Sequence, residues 1–127
     1  MSVGILDVTS DTCKSVGEIL ALIGDKWSVL LVMSLSDGSR RFSELRRAVP
    51  GISQRMLTLT LRALERDGLI LRTVTPTIPP RVDYELTDLG RSMQEPVAAL
   101  GAWAITNRSR IEAARKAFDR LSEENRV

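Results

Sequence analysis

The chain contains no histidine and one cysteine, Cys13, among its 127 residues. Without histidine, no Ser-His-Asp or Cys-His catalytic pair forms within the chain, and no imidazole ligates a metal. A single cysteine excludes an intrachain disulfide and any multi-cysteine zinc or iron–sulfur site. Aromatic residues make up only 4%, which disfavours a deep aromatic ligand cage. We therefore expect a protein that is not an enzyme and that holds no cofactor and no metal.

Long hydrophobic runs are also lacking. The longest, residues 97–105, has nine residues, whereas a membrane-spanning helix needs about twenty. No basic segment followed by an apolar one precedes a small-residue cleavage site. These features predict a cytoplasmic protein with no membrane partner, and the length suits one compact domain.

Positive charge is concentrated in the middle of the chain. Residues 40–81 carry nine arginines and three acids, a net charge of +6, whereas the remaining residues sum to −4. A basic segment in an otherwise acidic protein indicates a polyanionic partner. All nine cations are arginine, whose planar guanidinium suits phosphates and guanine edges.

Residues 43–68 have the pattern of a helix-turn-helix. Ser43 is a plausible N-cap for a short helix over residues 44–49, which the Pro50-Gly51 turn ends. Ser53 caps a longer helix that Gly68 stops, and its buried stripe is Leu57, Leu61 and Leu64. The opposite stripe is polar: Gln54, Arg55, Thr58 and Arg62.

A β-hairpin follows this unit. Residues 69–75 and 81–86 have strand character, and the intervening residues 76–80 form a proline-stiffened tip. Such a hairpin is the wing of a winged helix-turn-helix. The predicted fold is mainly α with a small β-wing.

Helices are also predicted on both sides of this core. An N-terminal arm over residues 1–12 precedes a helix from Ser15 that Gly24 stops, and Asp25 caps a second helix with Trp27, Leu30, Leu31 and Leu35 inward. Thr87 caps a helix that Pro96 kinks or splits, and a separate last helix contains Ile111 and Phe118. The late helices carry surplus apolar surface, which predicts a homodimer; folding back onto the same chain is the alternative.

The candidate DNA contacts fall into three groups. Small or forked polar side chains at the start of the longer helix are suited to base edges, the arginines around the short helix to phosphates, and Arg81 to the minor groove or a phosphate. For the polar stripe of the longer helix, the alternative is an ordinary solvated helix face. For the arginines around the short helix it is salt bridges with Glu44 and Glu65, and for Arg81 it is pairing with Asp83. The residues are Arg40, Arg41, Ser43, Arg46, Arg47, Ser53, Gln54, Arg55, Thr58, Arg62 and Arg81.

Several short segments carry a joint signature: Gly24-Asp25-Lys26-Trp27, Arg41-Phe42-Ser43-Glu44-Leu45, Pro50-Gly51-Ile52-Ser53, Leu61-Arg62, Gly68-Leu69, residues 80–87 and Leu89-Gly90. Together they resemble the HxlR-type winged helix-turn-helix regulators of bacteria. The resemblance runs from Cys13 to Trp103, with the departure that Asp25 stands where the family more often has glycine. It implies a MarR-like fold, a dimer formed through the first helix and the helices after the wing, and binding to DNA near the genes that the protein controls. Because a two-fold dimer presents two recognition helices, we expect a palindromic double-stranded operator.

Cys13 has two interpretations. It precedes the predicted start of the first helix and adjoins Lys14, and both features favour a reactive thiolate. The resemblance implies a redox switch here that responds to small electrophiles such as quinones; inert packing is the alternative. If Cys13 is inert, a small aromatic effector at the dimer interface is expected instead.

The sequence predicts one domain over residues 13–127, with its core at 13–103, that works as a sequence-specific transcriptional regulator and more specifically as a repressor. A non-specific architectural DNA binder is the first alternative, although the modest net charge disfavours it. A winged-helix module that binds only proteins is the second, and the intact Arg55 and Arg62 disfavour that interpretation.

Overall fold

The structure, a computed structural model, describes residues 11–125. Six helices and one two-stranded antiparallel sheet follow one another in this part of the chain. By their internal contacts the residues form two compact units, one up to Gln94 and one from Glu95. The elements are α1 (Asp11–Gly24), α2 (Lys26–Ser34), α3 (Phe42–Ala48), α4 (Gln54–Arg66), β1 (Ile70–Thr75), β2 (Arg81–Leu86), α5 (Asp88–Ser92) and α6 (Gln94–Glu124).

The first helix begins earlier than predicted. Asp11 and Thr12 are helical, and the rest of the expected arm lies outside the described residues. Cys13 is therefore inside α1 and half-buried, not in front of a helix start. The prediction relied on apolar spacing, which begins only after Ser15, whereas the polar residues before it continue the same helix.

Side-chain caps fix the N-terminal starts of α2 and α4 as predicted. The Asp25 carboxylate accepts hydrogen bonds from the Ser28 backbone N–H at 3.1 Å and from the Ser28 hydroxyl at 2.8 Å. The Ser53 hydroxyl oxygen accepts from the Met56 N–H at 3.0 Å. Gly68, with φ +75°, supplies the left-handed residue that ends α4.

The start of α3 differs from the prediction. The N-cap is Arg41, two residues before Ser43, and α3 runs from Phe42. The Glu44 carboxylate accepts from the Arg41 backbone N–H at 2.9 Å, so an acid in the first turn sets this boundary. Ser43 lies exposed within the first turn.

The core of the first unit lies between α2, α3, α4 and the sheet. The predicted stripe of α4 is confirmed, because Leu57, Leu61 and Leu64 are all buried. In α2 the inward side is Leu31 and Val32, whereas Leu30, predicted to face inward, is 37% exposed. The core side chains are Leu31, Val32, Leu35, Leu45, Val49, Ile52, Leu57, Leu61, Leu64, Leu69, Ile70, Tyr84, Leu86 and Met93.

The hairpin has the predicted strands, with Ile70 opposite Leu86 and Thr75 opposite Arg81. A backbone bridge attaches it to the segment before α3: the Arg40 N–H donates to the Tyr84 carbonyl, and the Tyr84 N–H donates to the Arg40 carbonyl, both at 2.9 Å. The wing is therefore anchored to the helix-turn-helix through the main chain.

Thr87 caps α5, since its hydroxyl oxygen accepts from the Gly90 N–H at 3.1 Å. The helix is interrupted at Met93, and a new helix, α6, begins at Gln94. Pro96 lies in the first turn of α6, where the backbone N–H that proline lacks would have no partner within the helix. The predicted split is confirmed. The prediction of a separate last helix is wrong, because α6 continues unbroken over 31 residues to Glu124.

Gly90 provides a test of this packing. A Cβ atom added there would collide with the Leu69 carbonyl oxygen, whereas one added at Gly101 in α6 meets open space. We expect Gly90→Ala to lower the free energy of unfolding by about 1–3 kcal/mol, and Gly101→Ala to raise it by up to about 1 kcal/mol. Urea unfolding measures both; equal values for the two variants would contradict the packing described.

Candidate nucleic-acid interface

The segment from α3 to α4 is a helix-turn-helix with one exposed polar side. Val49 and Ile52 are buried on either side of the turn, and Gly51 adopts φ +87° within it. The inward stripe of α4 fixes the rotation of that helix about its own axis. Its opposite stripe is left exposed: Gln54, Arg55, Thr58 and Arg62.

The four polar residues at the start of α4 are not equally free to bind a ligand. Ser53 accepts the capping hydrogen bond, and the Thr58 hydroxyl donates to the Gln54 carbonyl at 2.9 Å. The side chains of Gln54 and Arg55 have no partner among residues 11–125. At the start of α4, Gln54 and Arg55 are therefore the two side chains not already engaged within the described residues, and their forked polar ends have the chemistry that suits base edges.

Three arginines converge beside α3. Arg41, Arg47 and Arg81 line one surface cavity of about 410 Å³ together with Ser43 and Glu44. The Glu44 carboxylate already accepts from the Arg41 N–H, so its charge is partly satisfied by the helix start. The cavity has a net positive lining and suits a phosphate. The structure thus brings together four of the residues predicted from the sequence: Arg41, Ser43, Arg47 and Arg81.

A second basic cleft lies between α4 and the wing, with a volume of about 260 Å³. Arg62 from α4 and Arg72 from β1 line it, and Glu65 is the acid beside them. The aromatic side chains of Phe42 and Tyr84 line the same cleft. Arg72 was not among the predicted site residues. Its strand register, directly opposite the buried Tyr84, is the feature that turns it toward α4.

Arg40 has a structural task that the sequence did not reveal. It is half-buried, and its Nε donates to the Ser34 carbonyl at 2.7 Å. Its backbone forms the bridge to Tyr84 described above. A phosphate contact by Arg40 remains a prediction. Such a contact would use the guanidinium nitrogens other than Nε.

Ion pairs neutralise few of these arginines. Between residues 11 and 125 the pairs are Arg81–Asp83 at 3.0 Å, Arg91–Asp88 at 3.2 Å and Arg108–Glu112 at 3.7 Å. The first is the alternative that the sequence offered for Arg81. The internal salt bridges considered for Arg46 and Arg47 do not occur in the described part of the chain, so both keep their charge on an exposed surface.

Comparison with known proteins identifies relatives that match most of the chain. Residues 22–112 match the family described as HxlR-like helix-turn-helix. The chain is 44% identical over 121 residues to the uncharacterized HTH-type transcriptional regulator YdeP of Bacillus subtilis, covering 91% of this chain and 94% of YdeP. The curated relatives are named as transcriptional regulators, which are not enzymes, in agreement with the expectation from composition.

Solved structures extend the similarity to the fold. The transcriptional regulator YtfH of Salmonella typhimurium superposes with a TM-score of 0.74 at 40% identity, covering 87% of this chain and 97% of that one. The redox regulator HypR in its reduced form gives a TM-score of 0.72 at 43% identity, covering 78% and 98%. In the described part of the chain, no helix is both long enough and apolar enough to cross a bilayer.

The contrast between Arg40 and Arg41 is testable. Arg40→Ala removes a charged donor from the Ser34 carbonyl, so we expect the free energy of unfolding to fall by about 1.5–3 kcal/mol. Arg41→Ala truncates an exposed side chain whose backbone N–H still caps α3, and we expect a change within about 0.5 kcal/mol. Urea titration followed by circular dichroism measures both. If Arg40→Ala is as stable as the parent, the structural task assigned to Arg40 is wrong.

Proposed function

Because the chain belongs to the HxlR-like helix-turn-helix family, whose members among its relatives are named transcriptional regulators, we propose that it is a sequence-specific repressor. The observation that carries this proposal is the exposed start of α4, where Gln54 and Arg55 have no partner among the described residues. A recognition helix presents its N-terminal part to the major groove. Repression follows when the bound protein occupies the promoter of the gene it controls.

The proposed division of labour assigns bases to α4 and phosphates to the arginine cavities. Gln54 and Arg55 contact base edges, with Ser53 and Thr58 beside them. Arg41, Ser43, Arg47 and Arg81 hold the backbone near α3, and Arg62 holds it near the wing. Arg40 and Arg46 are the outer phosphate contacts. Phosphate contacts set the position of the helix on DNA, whereas base contacts carry the sequence information.

This division predicts that two substitutions weaken DNA binding in different ways, one by reducing sequence preference and one by reducing affinity for every sequence. A bidentate contact from arginine to guanine discriminates by about 1–3 kcal/mol against the wrong base, so Arg55→Ala should reduce the preference for the specific site. Arg41→Ala should weaken binding to all sequences alike and lower the salt dependence by about one phosphate.

The measurement begins with selection of a tight site from a library of random duplexes, followed by fluorescence anisotropy on that site and on shuffled DNA at several salt concentrations. Equal losses on both DNAs for Arg55→Ala would contradict its assignment. Failure of the wild-type protein to enrich any sequence would contradict the repressor proposal and favour the architectural alternative.

We further propose a homodimer, supported by the spacing of apolar residues along α6. Its apolar residues recur at intervals of three and four residues, with one interval of seven between Ala104 and Ile111, and so lie on one face of this single helix, the pattern of a coiled-coil seam. Most of that face is open in the single chain: Leu100 is exposed, as are Phe118 and Leu121. In α1, Ile19 and Leu20 are exposed as well. The α6 positions are Val97, Leu100, Ala104, Ile111, Ala114, Phe118 and Leu121.

Sedimentation equilibrium tests the dimer. We expect twice the chain mass of 14.1 kDa at micromolar concentration. Phe118→Lys places a charge on the seam and should shift the population toward monomer, because an unpaired charge is costly to bury. Ala113→Lys adds the same charge on the far side of α6 and serves as the control. A wild-type monomer, or equal effects of the two variants, would argue against this seam.

The third part of the proposal concerns Cys13 as the sensor of thiol-reactive compounds. It is supported by the similarity to HypR, which is described as a redox regulator. The half-buried position of Cys13 in α1 leaves part of its side chain accessible to a small electrophile. The Cys13 sulfur adds to a quinone carbon, and the ring takes up the thiol proton to become a hydroquinone thioether. If α1 takes part in the dimer contact through its exposed Ile19 and Leu20, a bulky adduct on it changes the spacing of the two recognition helices and lowers operator affinity.

We expect Cys13→Ser to bind the selected site like wild type in reducing buffer and to ignore benzoquinone. Wild-type protein should lose affinity as modification approaches one quinone per chain, which mass spectrometry counts. Full operator affinity after stoichiometric modification would overturn the sensing proposal. The effector would then be sought among small aromatic ligands of the dimer interface.

A further inference from the structure

The tip of the wing carries an isoleucine that the protein leaves in water. Ile78 has a relative exposure of 102%, higher than any other large hydrophobic residue in the described chain. We propose that Ile78 is an apolar wedge that enters the minor groove of bound DNA, partly unstacks one base step and bends the duplex. This inference rests on the proposed DNA-binding function and adds a contact, and a deformation, that α4 does not supply.

The tip is built to hold that side chain in place. Residues 76–80 link the paired residues Thr75 and Arg81, and three of these five residues are proline. The Thr77 hydroxyl donates to the Pro79 carbonyl at 2.8 Å, and the Thr77 N–H donates to the Thr75 carbonyl at 2.8 Å. Proline fixes φ and removes backbone freedom. The loop therefore needs little ordering on binding, which favours insertion of Ile78 over collapse of the tip.

The length of the wing beyond its anchor is sufficient. The bridge between Arg40 and Tyr84 attaches β2 to the body of the unit, and Arg81, at the start of the strand, lies three residue steps from Tyr84. At about 3.3 Å per residue, the strand projects roughly 10 Å beyond this anchor before the tip begins. The minor groove is about 7.5 Å deep. The projection of the strand therefore exceeds the depth of the groove, as entry of Ile78 requires while the body stays outside.

Charge favours the same placement. Arg81, immediately after the tip, pairs with Asp83 at 3.0 Å and shares its cavity with Arg41 and Arg47. A phosphate held in this cavity would bring the adjacent groove to the tip. Residues 76–80 contain no acid that phosphates would repel and no base or amide that would read the groove by hydrogen bonds. What the tip offers is one aliphatic side chain among prolines. Apolar wedges of this kind act by unstacking and kinking DNA.

The bend angle of the DNA is the property to measure, because an isoleucine that contacts only the surface of the DNA would not bend the duplex. The probe is the duplex selected from the random library, with the site placed at the centre or near an end of fragments of equal length. Differences in gel mobility report the bend. A second set of duplexes carries 2-aminopurine in place of single adenines outside the major-groove contacts, and its fluorescence rises where a base is unstacked.

The matched pair of variants is Ile78→Ala and Leu71→Ala. Both shorten an exposed aliphatic side chain of the same hairpin without changing charge, but Leu71 is 49% exposed and lies at the far end of β1, opposite Glu85. We expect wild type and Leu71→Ala to bend the duplex by about 20–90° and to raise the fluorescence at one step. Ile78→Ala should lose most of the bend and the fluorescence signal.

The possible results test the wedge and the repressor function separately. If wild type binds its selected site without bending it, or if Ile78→Ala bends it equally, the wedge is overturned while the repressor proposal stands. If wild type selects no site, the repressor proposal fails and the wedge fails with it. Circular dichroism of Ile78→Ala, which changes a fully exposed side chain, checks that the variant is folded.

Discussion

The burial of one stripe of α4 determines where the polar side of this protein faces. Leu57, Leu61 and Leu64 fill the core of the first unit, and burying each contributes about 1.5–3 kcal/mol. Since successive helix residues are about 100° apart, this packing turns Arg55 roughly 200° away from Leu57. Rotation of α4 by even half a turn would bury the arginines and expose the leucines. The hydrophobic core therefore fixes both the fold and the direction of the proposed contact with DNA.

The wing depends on that core through the main chain. The reciprocal hydrogen bonds between Arg40 and Tyr84 tie β2 to the start of the helix-turn-helix, and the Arg40 side chain secures the end of α2. The Thr87 hydroxyl adds a second tie, because it donates to the Gly68 carbonyl at the end of α4 while it caps α5. Helix and wing are consequently joined into one surface, so a phosphate bound as proposed by Arg41 and Arg81 would contact both at once.

Much of this arrangement was predictable because its signals are local. Ser53, Asp25, Thr87 and Gly68 act on their own helix ends, and the spacing of three leucines specifies one face of α4. The start of α3 was not predictable in the same way, because Arg41 and Ser43 both precede an acid and only the backbone geometry selects Arg41. The unbroken α6 was missed because Asn107 and Arg110 interrupt its apolar pattern without interrupting the helix.

The functional surface was harder to predict than the fold. Nine arginines in one segment signalled a polyanionic partner, but charge alone does not say which arginine is structural. Arg40 and Arg41 are neighbours in sequence and differ only in what the tertiary structure places beside them. Arg72 was missed for the same reason: its approach to Arg62 requires the pairing of β1 with β2 and the packing of the hairpin beside α4.

The exposed side of α4 and the wing together form the proposed DNA-contacting surface. A titration of ¹⁵N-labelled protein with its selected duplex, followed by NMR, tests this residue by residue. We expect the largest chemical-shift changes on the backbone and side-chain signals of Gln54 and Arg55, on Arg41 and Arg81, and on the wing tip. Large changes confined to α6, with α4 unchanged, would contradict it.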